Sequence, residues 1–497
     1  MIDIISTPIL ITMILGTVGL IIPIIDAMRK ERGVNHQTYG SIASGALLVS
    51  IFIIIFRVFN GEELPIISFV DTSVLTEDMF GSFFAIVMLI VAIMVTISSI
   101  EYMRKTPNPA PYYSLLLLSS IGMVLLAYSS DLVMLIVAWE LMSIPTYVLT
   151  GFHKNNPVSN EAAIKYFIFG ALSTGIIIYG ISLAYGLTGS TNIAVVLQGL
   201  VQIDGDLRPI AMMALAMFIA GFGFKMALVP FHMWLPDAYE GAPTTISAFL
   251  AAATKKAGFV AAFRVIILGM VALNLEWSLV LAILAILTMV IGNLAALTQK
   301  SMTRMLAYSS IGHAGYMLIG LSLAPFSHLA MQGSLFHILN HAVMKSAAFI
   351  ASAAVIVTLA TSNIDSYKGL GKRMPITALV MSISLLALAG VPPLNGFWSK
   401  FILFASSIDA GSTVSWAPAL AIAGILTSAL SLGYYALVIR KMYFEESVVA
   451  KTKRVKEPKI ILVVLLFALV FMVGFGIYPT PLIEFSSISV PLTAELP

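Results

Sequence analysis

The sequence predicts an all-α integral membrane protein with about fourteen transmembrane helices, on the basis of its hydropathy, its low charge content and the placement of its basic residues. Of the 497 residues, 59% are hydrophobic and only 10% are charged, and the mean hydropathy is +0.99. Soluble domains usually contain about 25% charged residues, so this composition excludes a soluble fold. The long apolar runs lack the period-two alternation of a β-barrel, which leaves helices.

Each predicted helix is an apolar run near the roughly 20 residues that cross a bilayer core. The first is expected to be retained rather than cleaved as a signal peptide, because no basic segment precedes it. The predicted helices lie near 4–26, 38–58, 79–99, 113–129, 132–152, 163–187, 209–233, 243–270, 274–298, 304–323, 329–360, 376–405, 416–440 and 460–479.

The basic residues outside these helices are distributed unevenly between the two sides of the membrane. Odd-numbered loops hold most of them, including the clusters at 29–32 and 440–459, whereas even-numbered loops hold essentially Arg57 and Arg208. The positive-inside rule therefore predicts odd loops in the cytoplasm and both termini outside. A miscounted helix would scramble this asymmetry, so the charges support the count independently of hydropathy.

The composition also limits the chemistry of this chain. The absence of cysteine rules out disulfides, thiolate metal sites and cysteine-ligated iron–sulfur clusters. A formal net charge of +3 is too small to indicate a nucleic-acid partner. We therefore expect no cofactor or metal in this chain, and expect any redox chemistry to occur in other subunits.

Basic residues that remain inside the predicted helices are the main functional signal. A cation at the bilayer centre costs about 2.5–3.5 kcal/mol, so such residues usually face a wet or paired interior and mark ion paths. Lys225, Lys255 and Lys400 lie well inside apolar segments, whereas Lys165 and Arg264 are near enough to helix ends for snorkelling to explain them. The full set is Lys165, Lys225, Lys255, Lys256, Arg264, Lys345 and Lys400.

One acid lies in the middle of a predicted helix, and its position suggests a switch. A buried ammonium loses its proton readily because desolvation disfavours the charged form, and a nearby carboxylate reverses this effect. Movement of Glu140 towards or away from Lys225 would therefore switch the lysine between holding and releasing a proton. Lys255 and Lys256 point about 100° apart on a helix, so both cannot face one path equally, and the sequence favours Lys255.

Histidines supply the other protonatable groups within the predicted helices. His337 and His341 share one helix face at i, i+4 spacing, and His313 lies on the preceding helix. We expect a proton relay through these residues and Lys345, with hydrogen bonding in the core as the alternative. A zinc site is disfavoured because no third ligand accompanies the pair.

Helix breakers lie beside three of the lysines. Irregular backbone at membrane depth is tolerated only within protein or beside water, and paired breaks in two halves of a transporter often mark its site. The stretches that begin at Val229 and Val391 echo each other, which favours two repeated bundles, although plain kinks are the alternative. The breakers lie at 230–236 after Lys225, at 241–243 before Lys255 and at 391–396 before Lys400.

Several motifs together resemble subunit N of NADH-quinone oxidoreductase, or complex I, over nearly the whole chain. In that family the fold is two inverted five-helix repeats, helices 4–8 and 9–13, with helices 7 and 12 broken. The resemblance implies N-terminal helices in 1–112, bundles in 113–270 and 271–441, and a basic loop with helix 14 in 442–497. The motifs are Trp139-Glu-Leu-Met-Ser-Ile-Pro-Thr-Tyr-Val-Leu, Glu161-Ala-Ala-Ile-Lys-Tyr-Phe-Ile-Phe-Gly-Ala, Pro230-Phe-His-Met-Trp-Leu-Pro-Asp-Ala-Tyr-Glu-Gly-Ala-Pro, Ala307-Tyr-Ser-Ser-Ile-Gly-His-Ala-Gly-Tyr and Gly390-Val-Pro-Pro-Leu-Asn-Gly-Phe-Trp-Ser-Lys.

By position, the resemblance also assigns roles in a proton path. Glu140 is similar to the family's helix-five acid and Lys225 to its helix-seven partner. Lys255 is similar to the central lysine of helix eight, Lys400 to the helix-twelve residue next to the exit, and Lys165 to a modulating lysine on helix six. His313 resembles a polar bridge on helix ten, whereas the doubled lysine at 255 and 256 departs from the family pattern. The candidate path residues are Glu140, Lys165, Lys225, Lys255, His313, His337, His341, Lys345 and Lys400.

The resemblance implies a proton-translocating, non-redox subunit in the membrane arm of a complex I-like quinone-reducing oxidoreductase, in the plasma membrane of a prokaryote. Flavin, iron–sulfur clusters and quinone are then expected in partner subunits, and the M-, K- and J-type membrane subunits are expected as neighbours. The alternatives are a cation/proton antiporter without redox input, a membrane-bound hydrogenase arm and a purely structural subunit. The electron donor and the choice between protons and sodium stay open.

Overall fold

The computed structural model describes residues 6–28, 35–60, 74–203, 205–272, 276–446 and 454–491. The predicted basic residues 29–32 and 451–453 lie outside these ranges. The elements of the described chain are α1 (Thr7–Met28), α2 (His36–Asn60), α3 (Met79–Tyr102), α4 (Pro109–Ala127), α5 (Leu132–Thr150), α6 (Pro157–Thr188), α7 (Ile193–Val201), α8 (Arg208–Met226), α9 (Trp234–Gly241), α10 (Thr244–Phe249), α11 (Lys255–Ala272), α12 (Glu276–Leu297), α13 (Met302–Ser322), α14 (His328–Leu359), α15 (Leu370–Arg373), α16 (Pro375–Ala389), α17 (Asn395–Asp409), α18 (Ala417–Phe444), α19 (Lys459–Ile477) and α20 (Thr480–Ile488).

The architecture is that of a helical membrane protein. Within the described ranges, 11 helices are long and apolar enough to cross a bilayer. The prediction of an all-α, multi-pass membrane protein is therefore confirmed. Short elements such as α7 and α20, which the hydropathy did not predict, lie beside the long helices.

Capping residues explain where several of the long helices begin. The Asp131 carboxylate accepts hydrogen bonds from the first backbone N–H groups of α5, and the Ser301 hydroxyl caps α13 in the same way. Proline occupies the first position of α4, α6 and α16, where its missing N–H costs nothing. The helices that position the site therefore start where their local sequence dictates.

Two of the long segments are broken in the middle, as the sequence predicts. α8 ends at Met226, Ala227 adopts a left-handed conformation with φ 55°, and α9 starts at Trp234. In the second segment α16 ends at Ala389, and Gly390 has φ 88°. Both breaks also contain a cis X–Pro bond, and both expose backbone carbonyls at a helix end within the protein.

A different irregularity lies directly before the adjacent lysines. Residues Leu250–Thr254 form a π-helical turn that connects α10 to α11, and Lys255 is the first residue after it. A π turn changes the register of the side chains that follow, and such turns are frequent at functional sites. The direction of Lys255 and Lys256 therefore could not be read from an ideal helical wheel.

The two halves of the molecule contain the same backbone motif. In each, the residues that precede a long helix exchange two N–H···O=C hydrogen bonds of 2.8–2.9 Å with a segment about sixty residues later, which pins the start of that helix. The pairs join 130–132 to 191–193 before α5, and 300–302 to 362–364 before α13.

Helix α14 is the centre of the second half. It packs against α13, α16, α17 and α19, and its side chains from Ser334 to Val355 are buried without interruption. A helix that is buried on all sides must satisfy its polar side chains within the protein. The polar residues of α14 are therefore held by the neighbouring helices, and they form part of the candidate site.

Candidate functional site

Five lysines are buried in the described part of the chain. Each has at most 3% of its surface exposed, so each ammonium group must find its partners inside the protein. They are Lys225, Lys255, Lys256, Lys345 and Lys400.

Lys225 lies in the last turn of α8, just before the helix break. Its Nζ donates hydrogen bonds to the Tyr166 hydroxyl at 2.8 Å and to the Ser143 hydroxyl at 3.1 Å. The rings of Tyr166 and Trp139 lie 5.2 and 5.9 Å from the same nitrogen. Hydroxyl oxygens and aromatic faces thus stabilise this cation in place of the Glu140 carboxylate that the sequence suggests as its partner.

Glu140 lies on α5, one helical turn from Ser143, and is half-buried. Its carboxylate accepts a hydrogen bond from the Thr174 hydroxyl on α6. Both Glu140 and Lys225 are in the described ranges, and no ion pair joins them within 4 Å in this conformation. The acid and the base are therefore close to the same turn of α5 and are held apart by separate hydroxyl partners.

Lys165 lies outside the buried group. It forms ion pairs with Glu161 at 2.7 Å and with Asp237 on α9 at 2.8 Å, and its side chain is 40% exposed. Asp237 also pairs with Arg304 of α13 at 2.8 Å, and Arg304 pairs with Glu240 at 2.9 Å. This ion network, Glu161–Lys165–Asp237–Arg304–Glu240, connects α9, the second half of the first broken segment, to α6 and α13.

Arg264 is held by a different acid. Its guanidinium makes a bidentate contact with the Asp78 carboxylate at 2.8 and 3.0 Å and also donates to the carbonyl of Ala127 at the end of α4. Asp78 caps α3, so Arg264 joins the start of α3 and the end of α4 to the middle of α11. This arrangement favours the structural interpretation of Arg264.

Lys255 and Lys345 are anchored to the same turn of α13. Lys255 Nζ donates to the carbonyl of Ser310 at 2.6 Å, and Lys345 Nζ donates to the hydroxyl of Ser309 at 2.5 Å. A weaker contact of 3.4 Å joins Lys345 to the carbonyl of Leu306. Two cations, one from α11 and one from α14, therefore bind one short stretch of α13, which lies within the motif that begins at Ala307.

The neighbouring Lys256, rather than Lys255, contacts a histidine. Its Nζ lies 2.7 Å from Nδ1 of His341 on α14 and 3.5 Å from the sulfur of Met317. The residue that the sequence disfavoured thus makes the direct contact with the next protonatable group.

The three histidines form a contiguous cluster between α13 and α14. The rings of His341 and His313 have centroids 4.8 Å apart, and Nδ1 of His313 lies 3.0 Å from Nε2 of His337. Nδ1 of His337 lies 2.9 Å from the Ser399 hydroxyl. Nε2 of His313 and Nε2 of His341 have no hydrogen-bond partner among the described residues. Each of these nitrogens can therefore accept or release a proton without first breaking a hydrogen bond.

Lys400 follows Ser399 and lies at the second helix break. Its Nζ donates to the carbonyls of Leu388 and Ala389, at 2.8 and 3.2 Å, and to the hydroxyl of Ser428 at 2.8 Å. The two carbonyls are at the C-terminal end of α16, where the helix dipole favours a cation. The break thus creates the binding site of this lysine.

Gly390 makes that arrangement possible. A Cβ at this position would lie 3.0 Å from Cδ of Lys400, and its φ of 88° is strained for residues with a side chain. The backbone conformation and the position of Lys400 therefore explain why the predicted motif has glycine at position 390.

The structure brings most of the predicted path residues together, with His313, His337 and His341 between Lys256 and Lys400. Lys165 is separate from them. The sequence analysis did not identify the hydroxyl groups that bind the path residues, and it favoured Lys255 over Lys256. The hydroxyl-bearing partners are Ser143, Tyr166, Thr174, Ser309, Ser399 and Ser428.

The family described as NADH:quinone oxidoreductase/Mrp antiporter, TM matches residues 129–431, a range that contains every candidate path residue. This chain belongs to that family. Among its relatives, F(420)H(2) dehydrogenase subunit N of Methanosarcina mazei is 40% identical over 483 residues, which cover 95% of this chain and 96% of the relative. NADH-quinone oxidoreductase subunit N of Trichlorobacter lovleyi is 42% identical over 396 residues, 78% of this chain and 79% of the relative.

A solved structure of this family has the same fold. One chain of respiratory complex I from Thermus thermophilus superimposes with a TM-score of 0.78 at 27% identity, and the match covers 96% of this chain and 99% of that chain. The resemblance to subunit N that the motifs indicate is thereby confirmed.

Proposed function

We propose that this family member is the N-type proton-translocating subunit in the membrane arm of a complex I-like quinone-reducing oxidoreductase. It couples electron transfer in partner subunits to outward proton transport through its buried lysine, glutamate and histidine residues. The chain contains no cysteine to ligate an iron–sulfur cluster, and we assign such clusters to those partners. From the family resemblance we assign flavin and quinone to the partners as well. We place the complex in the plasma membrane of a prokaryote.

The observation that carries the proposal is the series of buried protonatable groups between Lys256 and Lys400. Lys256 contacts His341, and the rings of His341 and His313 have centroids 4.8 Å apart. His313 contacts His337, which contacts the hydroxyl of Ser399, the residue before Lys400. A cluster this polar is expensive to bury in a membrane and is found where ions move. Lys255 of α11 and Lys345 of α14 lie beside the series and bind Ser310 and Ser309 of α13.

The first half supplies the switch in this proposal. Approach of Glu140 to Lys225 holds a proton on the lysine, and their separation releases it towards α11. The backbones of α8 and α11 are close here, since a Cβ on Gly258 would lie 3.2 Å from Cβ of Lys225, and Gly258 is one turn after Lys255. An ion pair at 4 Å is worth about 4 kcal/mol at an effective dielectric constant near 20. Moving one charge against 100 mV costs about 2.3 kcal/mol, so the rearrangement is large enough.

We further propose fourteen crossings, with inverted repeats in 113–270 and 271–441 and both termini outside. Three further segments are added to the long apolar helices to give fourteen crossings. Each of them is long enough to cross the bilayer, although it carries charges or a break. They are 244–272, 302–322 and 375–409. The repeats are supported by the two helix breaks and by the two matching backbone motifs that precede α5 and α13. Basic residues in odd loops support the orientation.

Neighbouring membrane subunits of the M-, K- and J-type would contact this chain at the apolar faces beside Glu140 and Lys400. Glu140 is half-buried and lies between the exposed Val137 and Ile144 on α5. At the other end, an open cavity of about 520 Å³ reaches Lys400 past the exposed Phe401. Apolar faces beside protonatable groups fit protein neighbours that continue the path.

The experiment that tests the function compares Lys256→Met and Lys255→Met in membranes that contain the assembled complex. We expect both proton pumping and electron transfer to collapse in Lys256→Met while a native gel shows normal assembly. Lys300→Met, at an exposed lysine, is the control. Retained pumping in both variants would favour a structural subunit, and proton movement driven by a sodium gradient without an electron donor would favour the antiporter alternative.

A further inference from the structure

A groove unrelated to the proton path lies between α4 and α5 at the end where the two helices meet loops 103–108 and 151–156. Its volume is about 580 Å³ and it is open to the surroundings. α4 begins at Pro109 and α5 ends at Thr150, so the groove crosses the level at which these helices start and end. In a membrane protein that level is the boundary between the hydrocarbon core and the headgroups.

The lining of the groove changes character along its length. The part between the helices is apolar and contains Pro111, Leu115 and Val148, of which Val148 is exposed. The part at the loops is polar and contains His153 and Lys154, and the described lining includes no aspartate or glutamate. The groove therefore combines an apolar half within the membrane with a polar half at its surface.

Basic residues without an acidic partner among the described residues lie in the two loops that border the polar half, and one of them, Lys154, lines the groove. Arg104, Lys105 and Lys154 are exposed, and none of them takes part in an ion pair among the described residues. Burial lowers the pKa of the His153 imidazole, so at neutral pH this side chain is an uncharged hydrogen-bonding group beside the cations. The site thus offers positive charge and hydrogen bonds where a phosphate would lie.

We propose that this groove binds one anionic phospholipid, with the phosphate at Lys154 and His153 and an acyl chain along Leu115 and Val148. Basic pockets between transmembrane helices at the cytoplasmic side bind anionic headgroups for this reason. Charge complementarity favours a lipid over an acidic protein segment, because the apolar half continues into the hydrocarbon layer. The proposal is independent of the proton path.

Native mass spectrometry of the purified full-length chain tests the proposal directly. The probes are phosphatidylglycerol, which is anionic, and phosphatidylcholine, which is zwitterionic. We expect the chain to retain phosphatidylglycerol preferentially, and we expect Lys154→Gln to weaken its retention about fivefold, the equivalent of about 1 kcal/mol. Lys300→Gln changes an exposed lysine outside the groove and is expected to leave retention unchanged.

A second variant tests the apolar half. Val148→Trp fills the space between the helices and should reduce retention of phosphatidylglycerol while all the cations remain. Equal retention of the two lipids, or retention that Lys154→Gln does not weaken, would overturn the proposal. So would a cross-link in the assembled complex from position 154 to a neighbouring subunit that excludes the lipid, since the occupant would then be protein.

Discussion

The first half of the molecule holds Glu140 and Lys225 apart, whereas the second half brings its three buried histidines into contact. Lys225 and Glu140 each bind hydroxyl groups, and no ion pair joins them. Between Lys256 and Lys400, by contrast, three histidines are in mutual contact. We therefore propose different tasks for the two halves, a switch in the first and a relay in the second.

The largest expected effect is in the relay, at its outer end. Lys400→Met removes the ammonium group that the C-terminal end of α16 binds. We expect proton pumping to fall about 100-fold or more, at the low end of what a positioned proton-transfer group contributes. Pumping in inverted vesicles, with assembly checked by native gel, measures this. Normal pumping in the variant would place the exit elsewhere.

The next effect tests the histidine cluster itself. His337→Gln keeps hydrogen bonds to His313 and Ser399 within reach but cannot carry a proton, so we expect pumping to fall about 10-fold or more. Thermal stability should change little, because the buried polar contacts are preserved. Unchanged pumping would mean that the cluster serves core packing only.

Gly390→Ala tests whether the backbone break positions Lys400. Alanine at φ 88° is strained by about 1–2 kcal/mol, and its Cβ would push against the lysine side chain. We expect pumping to fall several-fold with the lysine still present. Gly433→Ala is the matched control, since Gly433 lies inside α18 and an added Cβ meets nothing within 4 Å. Equal effects of the two variants would contradict the positioning role.

In the first half, Tyr166→Phe removes one of the two hydroxyl groups that bind Lys225 and leaves Ser143 in place. Loss of one hydrogen bond to a cation costs about 1.5–3 kcal/mol at most. We expect a reduction in pumping of about fivefold, smaller than that of Lys400→Met or His337→Gln. A complete loss would show that the switch is as sensitive as the relay and would remove the difference between the halves.

The smallest effect is expected in the ion network around Lys165. Asp237→Asn weakens the pairs with Lys165 and Arg304, but these groups are partly exposed, so the stability loss should be about 1 kcal/mol or less. Pumping at low and high salt measures the contribution of the network. A collapse of pumping would place Lys165 in the path itself.

The transmembrane character, the two helix breaks and most of the buried charges were predictable from the sequence, because each leaves a local signature. High hydropathy indicates segments that lie in the lipid bilayer. Proline and glycine beside Lys225 and Lys400 indicate interrupted helices. The contact between Lys256 and His341 leaves no such signature. It depends on the π turn at 250–254, which changes the direction of both lysines and cannot be read from an ideal helix.

The sequence by itself determined that this chain crosses a membrane many times, that its motifs resemble those of subunit N, and which residues could carry protons. Only the tertiary structure decided which of these residues meet. Asp237 lies 72 positions from Lys165, and Ser399 lies 62 positions from His337. Contacts over such separations depend on the rotation and packing of whole helices, whereas hydropathy and charge act on each helix separately.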